Sequence, residues 1–546
     1  MHRFTSIRSA IAMCLAIALG AGATACGSDS ASSGKDGGTV KIVTGAFPVL
    51  DPALSYSVED WQALTQVYPG LLVFRHESGP EGAKVAPGLA ERLPAVSADG
   101  KTYRLRLRPN LRFSDGSPLR ASDFKASIER IIASDSPGLS LGYPNIVGAE
   151  EYAETKRGGI RGIEVSDATG DITIRLVEPR GAFTYELAIP FAGVVPKRTL
   201  PQNQTKNPPP GAGRYVIDDV RLNRSFRLRR NTNFSIALER TAVDAGKVDG
   251  FDVTVASVPN AATLVSQNRA DFMVDNPPGD RVGEIQGRYE DRYRQFGTPS
   301  VFWFFMNTEA EPFDDLRVRQ AVNHAIEPEA LQRLQGGLLE PGHTILPRGV
   351  PGFEKSSDLY PFDREKARQL IRAAGAEGAE VTVWGTPEDP AKATVEYYAD
   401  VLNQIGLKAK PKIISDETYI ETIGKRAVKA QTGWASFQQD YPHPADFLDV
   451  LLNPGNVRAD GNSNFAYNAS DRQLGTQIDA LAGRQLTPAT EKQWAAIDRA
   501  VQRKAYWAPY GTRRQSTFFS ERMDFENCKG DDWPVASHDW AQFCLK

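Results

Sequence analysis

The chain has 546 residues, more than one hydrophobic core usually serves, so two or three lobes are expected. Hydrophobic residues make up 41% and charged residues 24%, which is ordinary for a globular protein. The formal net charge is −3 and no run of five or more like charges occurs, which excludes nucleic-acid binding through a basic surface or arm.

The N-terminus carries the pattern of an export signal. Arg3 and Arg8 precede an apolar stretch, which predicts a signal peptide over residues 1–25. The stretch is shorter than the roughly 20 apolar residues that a membrane-spanning helix needs. Small residues before Cys26 are similar to a lipobox, so we predict lipidation of Cys26 and a flexible tether over residues 26–38. Cleavage after an Ala-x-Ala site, which would release the protein, is the alternative.

Beyond the tether, strand and helix patterns mix along the chain. Ser122 and Asp363 stand at positions typical of helix N-caps, and Gly375 is typical of a helix end. Alternating residue types predict strands in three segments: Thr39–Thr44, Tyr103–Leu107 and Ile172–Leu176. This mixture of elements predicts α/β lobes.

The cysteines are few and mostly terminal. The four comprise Cys14 inside the predicted signal peptide, Cys26 after it, and Cys528 and Cys544 near the C-terminus. In an exported chain the last two predict a disulfide that closes a loop of about 15 residues. A redox pair is the alternative, but it lacks the C-x-x-C spacing.

One segment raises the possibility of a secreted serine hydrolase. Gly138–Gly142 reads Gly-Leu-Ser-Leu-Gly and matches the nucleophile-elbow pattern, which needs a strand before it and a helix after it. Ser134–Pro137 is typical of a loop instead, and Pro144 opposes a helix directly after the turn. The hydrolase therefore remains an unfavoured alternative.

Metal and nucleotide chemistry have little support. The six His residues have no H-E-x-x-H or i,i+4 spacing, and His443 is the candidate if a metal or haem ligand exists. No P-loop or G-x-G-x-x-G is present, so the chain itself is not expected to hydrolyse ATP. We predict a protein that is not an enzyme and has no cofactor.

A series of short segments resembles a known family. The segments run in family order through most of the chain: Ala86–Ala90, Ser97–Tyr103, Phe113–Gly116, Gly211–Tyr215, Pro312–Asp315, Val318–Ile326, Tyr360–Asp363 and Asp440–Pro444. They resemble the family 5 extracellular solute-binding proteins, which serve oligopeptide, dipeptide and nickel ABC importers. Most of these motif residues are expected to form turns and packing rather than the binding site.

The resemblance implies an α/β fold like that of type II periplasmic binding proteins. Two α/β lobes joined by a hinge, with an extra small domain, would enclose a ligand between them. The implied boundaries are lobe I at 39–80, 190–302 and 509–546, the small domain at 81–189, and lobe II at 303–508.

The resemblance also implies a set of ligand-binding residues. In peptide-binding members the Asp of an Asp-Tyr or Asp-Asn segment holds the peptide amine, and Asp440 matches it, followed by Tyr441. A turn-capping Asp before Pro442 is the alternative. Phe437 stands where the family often has Trp, and Trp434 lies three residues earlier, so either aromatic residue could face the ligand or the core.

Four further residues are weaker candidates. Tyr56 and Ser57, after Ser55, occupy a loop that borders the cleft in the family. Trp303 and Asn307 lie near the expected hinge crossing.

The implied partners follow from the family. They are a small peptide-like ligand, permease subunits with separate ATPase subunits, and the outer face of the cell membrane through the lipid anchor. The protein is expected to be a monomer. Oligosaccharide, metal chelate and siderophore remain alternative ligands.

Overall fold

The computed structural model describes residues 36–355 and 359–546. The predicted signal peptide, Cys26 and nearly all of the tether lie outside these residues. Within them the strands are β1 (Thr39–Thr44), β2 (Leu72–Phe74), β3 (Val85–Pro87), β4 (Ala95–Val96), β5 (Thr102–Arg106), β6 (Ile163–Val165), β7 (Asp171–Arg175), β8 (Tyr215–Arg221), β9 (Ser225–Arg230), β10 (Gly250–Val255), β11 (Phe272–Met273), β12 (Tyr293–Gly297), β13 (Ser300–Met306), β14 (Leu339–Pro341), β15 (Glu380–Gly385), β16 (Lys408–Ile413), β17 (Thr432–Gln438) and β18 (Trp507–Phe519).

Helices alternate with these strands. They are α1 (Val58–Leu64), α2 (Ala121–Ala133), α3 (Ala149–Thr155), α4 (Phe183–Glu186), α5 (Val258–Ser266), α6 (Gly279–Arg288), α7 (Leu316–Ala325), α8 (Pro328–Leu334), α9 (Arg364–Ala374), α10 (Ala391–Gln404), α11 (Asp416–Ile423), α12 (Ala445–Leu452), α13 (Arg472–Ala482) and α14 (Pro488–Lys504). Among the described residues, no helix is both long enough and apolar enough to cross a bilayer.

Helix α9 begins and ends at the predicted residues. The Asp363 carboxylate accepts the Lys366 backbone N–H at 2.8 Å, which satisfies one free donor of the first turn. Gly375 ends the helix at a φ of 69°, in the left-handed region where glycine has no Cβ to clash.

Helix α2 begins two residues earlier than Ser122 would require as a cap. Arg120 is its N-cap residue, and the Asp123 carboxylate accepts the Arg120 N–H at 2.8 Å. Ser122 lies inside the first turn and is bonded through its N–H and its hydroxyl to Asp167, both at 2.8 Å. The predicted Ser122 cap is therefore wrong, because a carboxylate distant in sequence accepts its free N–H.

One large sheet runs through both lobes because β18 is 13 residues long. Trp507–Gly511 pair with β13, whereas Arg514–Phe518 pair with β12. The first lobe contains β8, β9, β10, β1, β11 and β12, and the second contains β13 to β17. The chain therefore passes between the lobes at the β12–β13 turn and again within β18.

The first lobe has a core on each face of its sheet. In β1, Val40 and Ile42 point into one core, shared with the C-terminal segment, and Val43 points into another against α5 and α6. This opposite placement follows from the two-residue period of a strand. Cys528 and Cys544, in the C-terminal segment, form a disulfide with Cα atoms 5.7 Å apart.

The second lobe is layered in the same way. In β13, Phe302 and Phe304 pack on the face covered by α7, α9 and α10. Trp303 and Phe305 pack on the face covered by α12, α13 and α14. A strand buried on both faces reads as a nearly continuous apolar run, which is why β13 shows no alternation from Val301 to Met306.

A small four-stranded sheet, in the order β4–β5–β7–β6, packs with α2 and α3. Its buried Tyr103 and Leu105 alternate with exposed arginines in β5. Two α/β lobes with this extra domain confirm the predicted fold class.

Candidate functional site

An open cleft lies between the two lobes. Its volume is about 1010 Å³. The first-lobe wall contains α1, the start of α6 and the segment after β11, and the second-lobe wall contains β13, β17 and the loops after α8 and β15. Strand β18, which belongs to both lobes, contributes Arg513 and Gln515.

Two aromatic rings from neighbouring strands line the second-lobe side of this cleft. Trp434 of β17 and Phe302 of β13 have ring centroids 6.4 Å apart. The structure thus brings Trp434, one of the predicted residues, to the cleft. Phe302 was not predicted, because its strand is apolar from Val301 to Met306 and no periodicity marks the side that meets the cleft.

Arg513 projects into the cleft from the strand shared by the lobes. Its guanidinium carbon lies 5.8 Å from the centroid of the Phe302 ring. Two hydrogen bonds hold its backbone: the Arg513 N–H donates to the Ser300 hydroxyl oxygen at 2.8 Å, and the Arg513 carbonyl accepts from the Thr298 N–H at 2.9 Å. Arg513 is exposed to the open cleft, but desolvation by the surrounding cleft walls lowers the pKa of its guanidinium, and the Glu59 carboxylate partly offsets this effect.

Asp440 and Tyr56 meet from opposite lobes. The Tyr56 hydroxyl donates to the Asp440 carboxylate at 3.2 Å. One residue before, Gln439 donates through Nε2 to the carbonyl of Pro534, in the C-terminal segment of the first lobe, at 2.5 Å. The segment that follows β17 therefore contacts the first lobe at two places.

A second carboxyl group lies directly beneath Asp440. Asp446, at the start of α12, is fully buried and accepts the backbone N–H of Asp440 at 2.7 Å and that of Tyr441 at 3.4 Å. Burial is the main cause that raises the pKa of both carboxyl groups, and the Glu186 charge adds to it. The Asp440 charge raises the pKa of Asp446 further, whereas the Tyr56 hydrogen bond partly offsets the rise at Asp440. We expect Asp440, the more accessible of the two, to ionise first.

Tyr441 points away from the cleft. It is fully buried, and its hydroxyl accepts from Arg180 at 3.4 Å. Arg180 also donates to the buried Glu186 carboxylate, with Nε to Oε1 at 2.8 Å. Tyr441 therefore joins the second lobe to the segment that follows β7 of the small domain.

Ser57 and Ser55 have local roles in the loop before α1. The Ser57 hydroxyl accepts the Asp60 N–H at 3.0 Å and so caps α1. Ser55 is fully buried, and its hydroxyl has no partner among the described residues. The cap positions Glu59, two residues further, at the cleft wall.

Asp440, Tyr441, Tyr56 and Ser57 are not among the residues that line this cavity. Three further predicted residues lie in the protein core instead. Trp303 is 1% exposed and stacks on Trp507 with ring centroids 4.0 Å apart. Asn307 is also 1% exposed and donates to the carbonyl of Ala430 at 3.0 Å. Phe437 packs edge-on against Phe447 in the second-lobe core.

His443 is also a core residue. Its Nδ1 accepts the Ala445 N–H at 3.1 Å, and burial together with Arg180 lowers its pKa to about 3. The ring is therefore neutral and enclosed. Within residues 36–355 and 359–546, no group of three or more His, Cys, Asp or Glu residues is arranged to hold a metal ion.

The segment Gly138–Gly142 does not form a nucleophile elbow. Pro137–Ser140 is one turn of 3₁₀ helix, and Tyr143–Asn145 is another. The Ser140 hydroxyl donates to the carbonyl of Pro137 at 2.8 Å. The strand and the helix that the elbow requires are both absent here, so the hydrolase alternative has no structural support.

Comparison with known proteins agrees with the two-lobed fold. A family model described as "Bacterial extracellular solute-binding proteins, family 5 Middle" matches residues 84–459. The chain belongs to this family. Among its family 5 relatives, di/tripeptide-binding protein 1 of Pseudomonas aeruginosa is 26% identical over 440 residues, with 76% of this chain and 78% of the relative covered. The glutathione-binding protein GsiB of Escherichia coli strain K12 is 27% identical over 434 residues, with 77% and 78% covered.

A solved structure supports the same fold for this family 5 member. "Clavulanic acid biosynthesis oligopeptide binding protein 2" superposes with a TM-score of 0.85 at 22% identity, and 94% of this chain and 96% of that chain are covered.

Proposed function

We propose that this family 5 protein captures peptides in the inter-lobe cleft and delivers them to the permease of an ABC importer, whose separate ATPase subunits supply the energy. The protein holds its ligand without transforming it. The observation that carries this proposal is the cleft of about 1010 Å³ with aromatic and charged walls, in a chain similar to di/tripeptide-binding and glutathione-binding proteins. Ligand contacts to both lobes would favour the closed arrangement.

Within this proposal, Asp440 anchors the peptide amine. Its carboxylate stands at the lobe boundary, where it already accepts a hydrogen bond from Tyr56. An ammonium group is a stronger donor to a carboxylate than a phenol is, because both partners are charged. The ligand amine would share or replace the Tyr56 contact, while Trp434 packs against an adjacent side chain.

Asp440→Asn is expected to weaken peptide binding by about 1.5–3 kcal/mol, because the amide cannot balance an ammonium charge. The measurement is native mass spectrometry of the purified protein with an equimolar library of peptides of two to six residues, followed by calorimetry on retained peptides. Asp479→Asn is the control, because Asp479 on α13 contacts Asn453 of the same lobe and no described residue of the first lobe. Failure of the wild-type protein to retain any peptide would remove the proposed function, and equal affinity of Asp440→Asn would remove only the amine anchor.

Asp440→Asn should also change how the affinity for peptide depends on pH. The pKa of Asp440 is raised above the ordinary Asp value of about 3.9, so its neutral form persists closer to neutral pH. Since only the ionised form attracts an ammonium group, wild-type affinity should fall as the pH is lowered from about 8 to about 5. Asp440→Asn should show a flatter profile, and a flat wild-type profile would contradict the assignment.

We also propose that Cys26 carries the lipid anchor and that residues 26–38 tether the binding domain to the outer face of the membrane. The sequence before Cys26 supports this. An inhibitor of lipoprotein signal peptidase should leave a larger precursor of the wild-type chain. Normal processing in the presence of the inhibitor would instead favour cleavage after Ala25 and release.

A further inference from the structure

The cleft carries charges that form no ion pair with the described part of the chain. Arg513 forms no ion pair and no side-chain hydrogen bond with any described residue, and its guanidinium lies over the face of the Phe302 ring. Six carboxylates also line the cleft without an ion pair to the described chain: Glu59, Asp275, Asp280, Glu388, Asp389 and Asp416. By contrast, Arg333, the other arginine of the cleft, is paired with Glu327 at 3.0 Å.

We infer that the cleft is selective for basic peptides with a free carboxylate: Arg513 binds the carboxylate, and the acidic walls bind the basic side chain. This inference rests on the proposed capture of peptides. It assigns a ligand class to the cleft and a specificity-determining role to a residue of the strand that both lobes share.

The geometry of Arg513 suits carboxylate recognition. A guanidinium presents a planar fork of N–H donors that matches the two oxygens of a carboxylate. The Ser300 and Thr298 contacts fix the backbone, and the Phe302 ring lies under one face of the fork. The N–H donors are therefore available to a ligand, and little ordering is needed before it binds.

The surrounding carboxylates define what else the ligand must carry. Asp275 belongs to the first lobe and Asp416 to the second, so negative charge faces the cavity from both sides. When a cleft closes and excludes water, these charges interact more strongly with whatever is inside. A basic side chain of the ligand is attracted electrostatically to every one of these carboxylates, whereas a second acidic group on the ligand is repelled by them.

The experiment compares matched synthetic peptides on the full folded chain. The probes are Ala-Lys-Ala, Ala-Met-Ala and Ala-Glu-Ala, each with a free and an amidated C-terminus, and the same central residues in pentapeptides of alanine. Calorimetry should rank the Lys peptides above the Met peptides and the Met peptides above the Glu peptides. Amidation of the Lys peptides should weaken wild-type binding by about tenfold or more, as expected for loss of a charge-assisted hydrogen bond.

Substitution at Arg513 separates ligand recognition from support of the fold. In Arg513→Gln, free and amidated peptides should bind equally, whereas Arg513→Lys should recover part of the preference for the free carboxylate. Arg514→Gln is the matched control, because the next residue of the same strand points to the opposite face. Thermal melting verifies that each variant folds.

Three outcomes would overturn the inference. Equal binding of Lys, Met and Glu peptides would remove the acidic selectivity while leaving peptide capture intact. An unchanged preference for the free carboxylate in Arg513→Gln would remove the role of Arg513. Loss of binding of free and amidated peptides alike in a normally melting Arg513→Gln would make Arg513 a structural residue of the strand. Binding of none of the peptides, together with no retention from the library, would remove the proposed function itself.

Discussion

Asp51→Ala is expected to lower the free energy of unfolding by about 3–5 kcal/mol, because it leaves the Arg130 guanidinium charged and unpaired in the protein interior. Asp51 is fully buried, and Arg130 of α2 donates to its two carboxylate oxygens at 2.7 and 2.6 Å. The Asp51 carboxylate also accepts the Gln204 N–H at 2.8 Å. The pair therefore joins the loop before α1 to the small domain and to the segment after residue 200.

Urea denaturation followed by circular dichroism measures this effect. Asp171→Ala is the control, because it breaks an exposed pair with Arg106 and should cost less than about 1 kcal/mol. The double substitution Asp51→Leu with Arg130→Met should recover part of the loss, since it removes both buried charges. A loss for Asp51→Ala no larger than that of Asp171→Ala would show that the buried pair contributes little.

Arg180→Met is expected to destabilise the protein by a similar amount, about 3–5 kcal/mol, and also to weaken peptide binding. Glu186 is fully buried and depends on Arg180 for its charge partner. The charge of Glu186 already contributes to the raised pKa of Asp440. Without Arg180, we expect that pKa to rise further, so less of the amine anchor is ionised at neutral pH.

Tyr441→Phe is the matched control for Arg180→Met. It removes only the 3.4 Å contact between the Tyr441 hydroxyl and Arg180, and leaves the ion pair with Glu186 intact. We expect Tyr441→Phe to lower the free energy of unfolding by about 1 kcal/mol or less. Melting temperatures and calorimetric affinities of the two variants test this, and equal losses would show that Arg180 acts through Tyr441 rather than through Glu186.

Local sequence signals predicted individual elements well where one short segment decides them. The alternation of β1 and the cap and stop residues of α9 are examples. The cap of α2 was predicted wrongly, because Asp167, 45 residues away, takes the N–H and the hydroxyl of Ser122. Propensity alone cannot anticipate such a partner.

The candidate site was harder to predict than the fold. Trp434 and Trp303 are both large aromatic residues of the second lobe, yet only Trp434 lines the cleft. Because β13 is apolar on both faces, its sequence does not distinguish Phe302, at the cleft, from Trp303, in the core. Arg513 likewise had no distinguishing signal beside Arg514.

The sequence by itself determined the family, the α/β character, and the position of Asp440 in a segment next to the lobe boundary, because these depend on local patterns and ordered motifs. Only the tertiary structure decided which charges face one another across the cleft. Glu59 lies 357 residues before Asp416, and Asp416 lies 97 residues before Arg513. They come together because β18 joins both halves of one sheet. Unpaired charge is a property of that arrangement, since a residue's partners are set by packing and not by its neighbours in sequence.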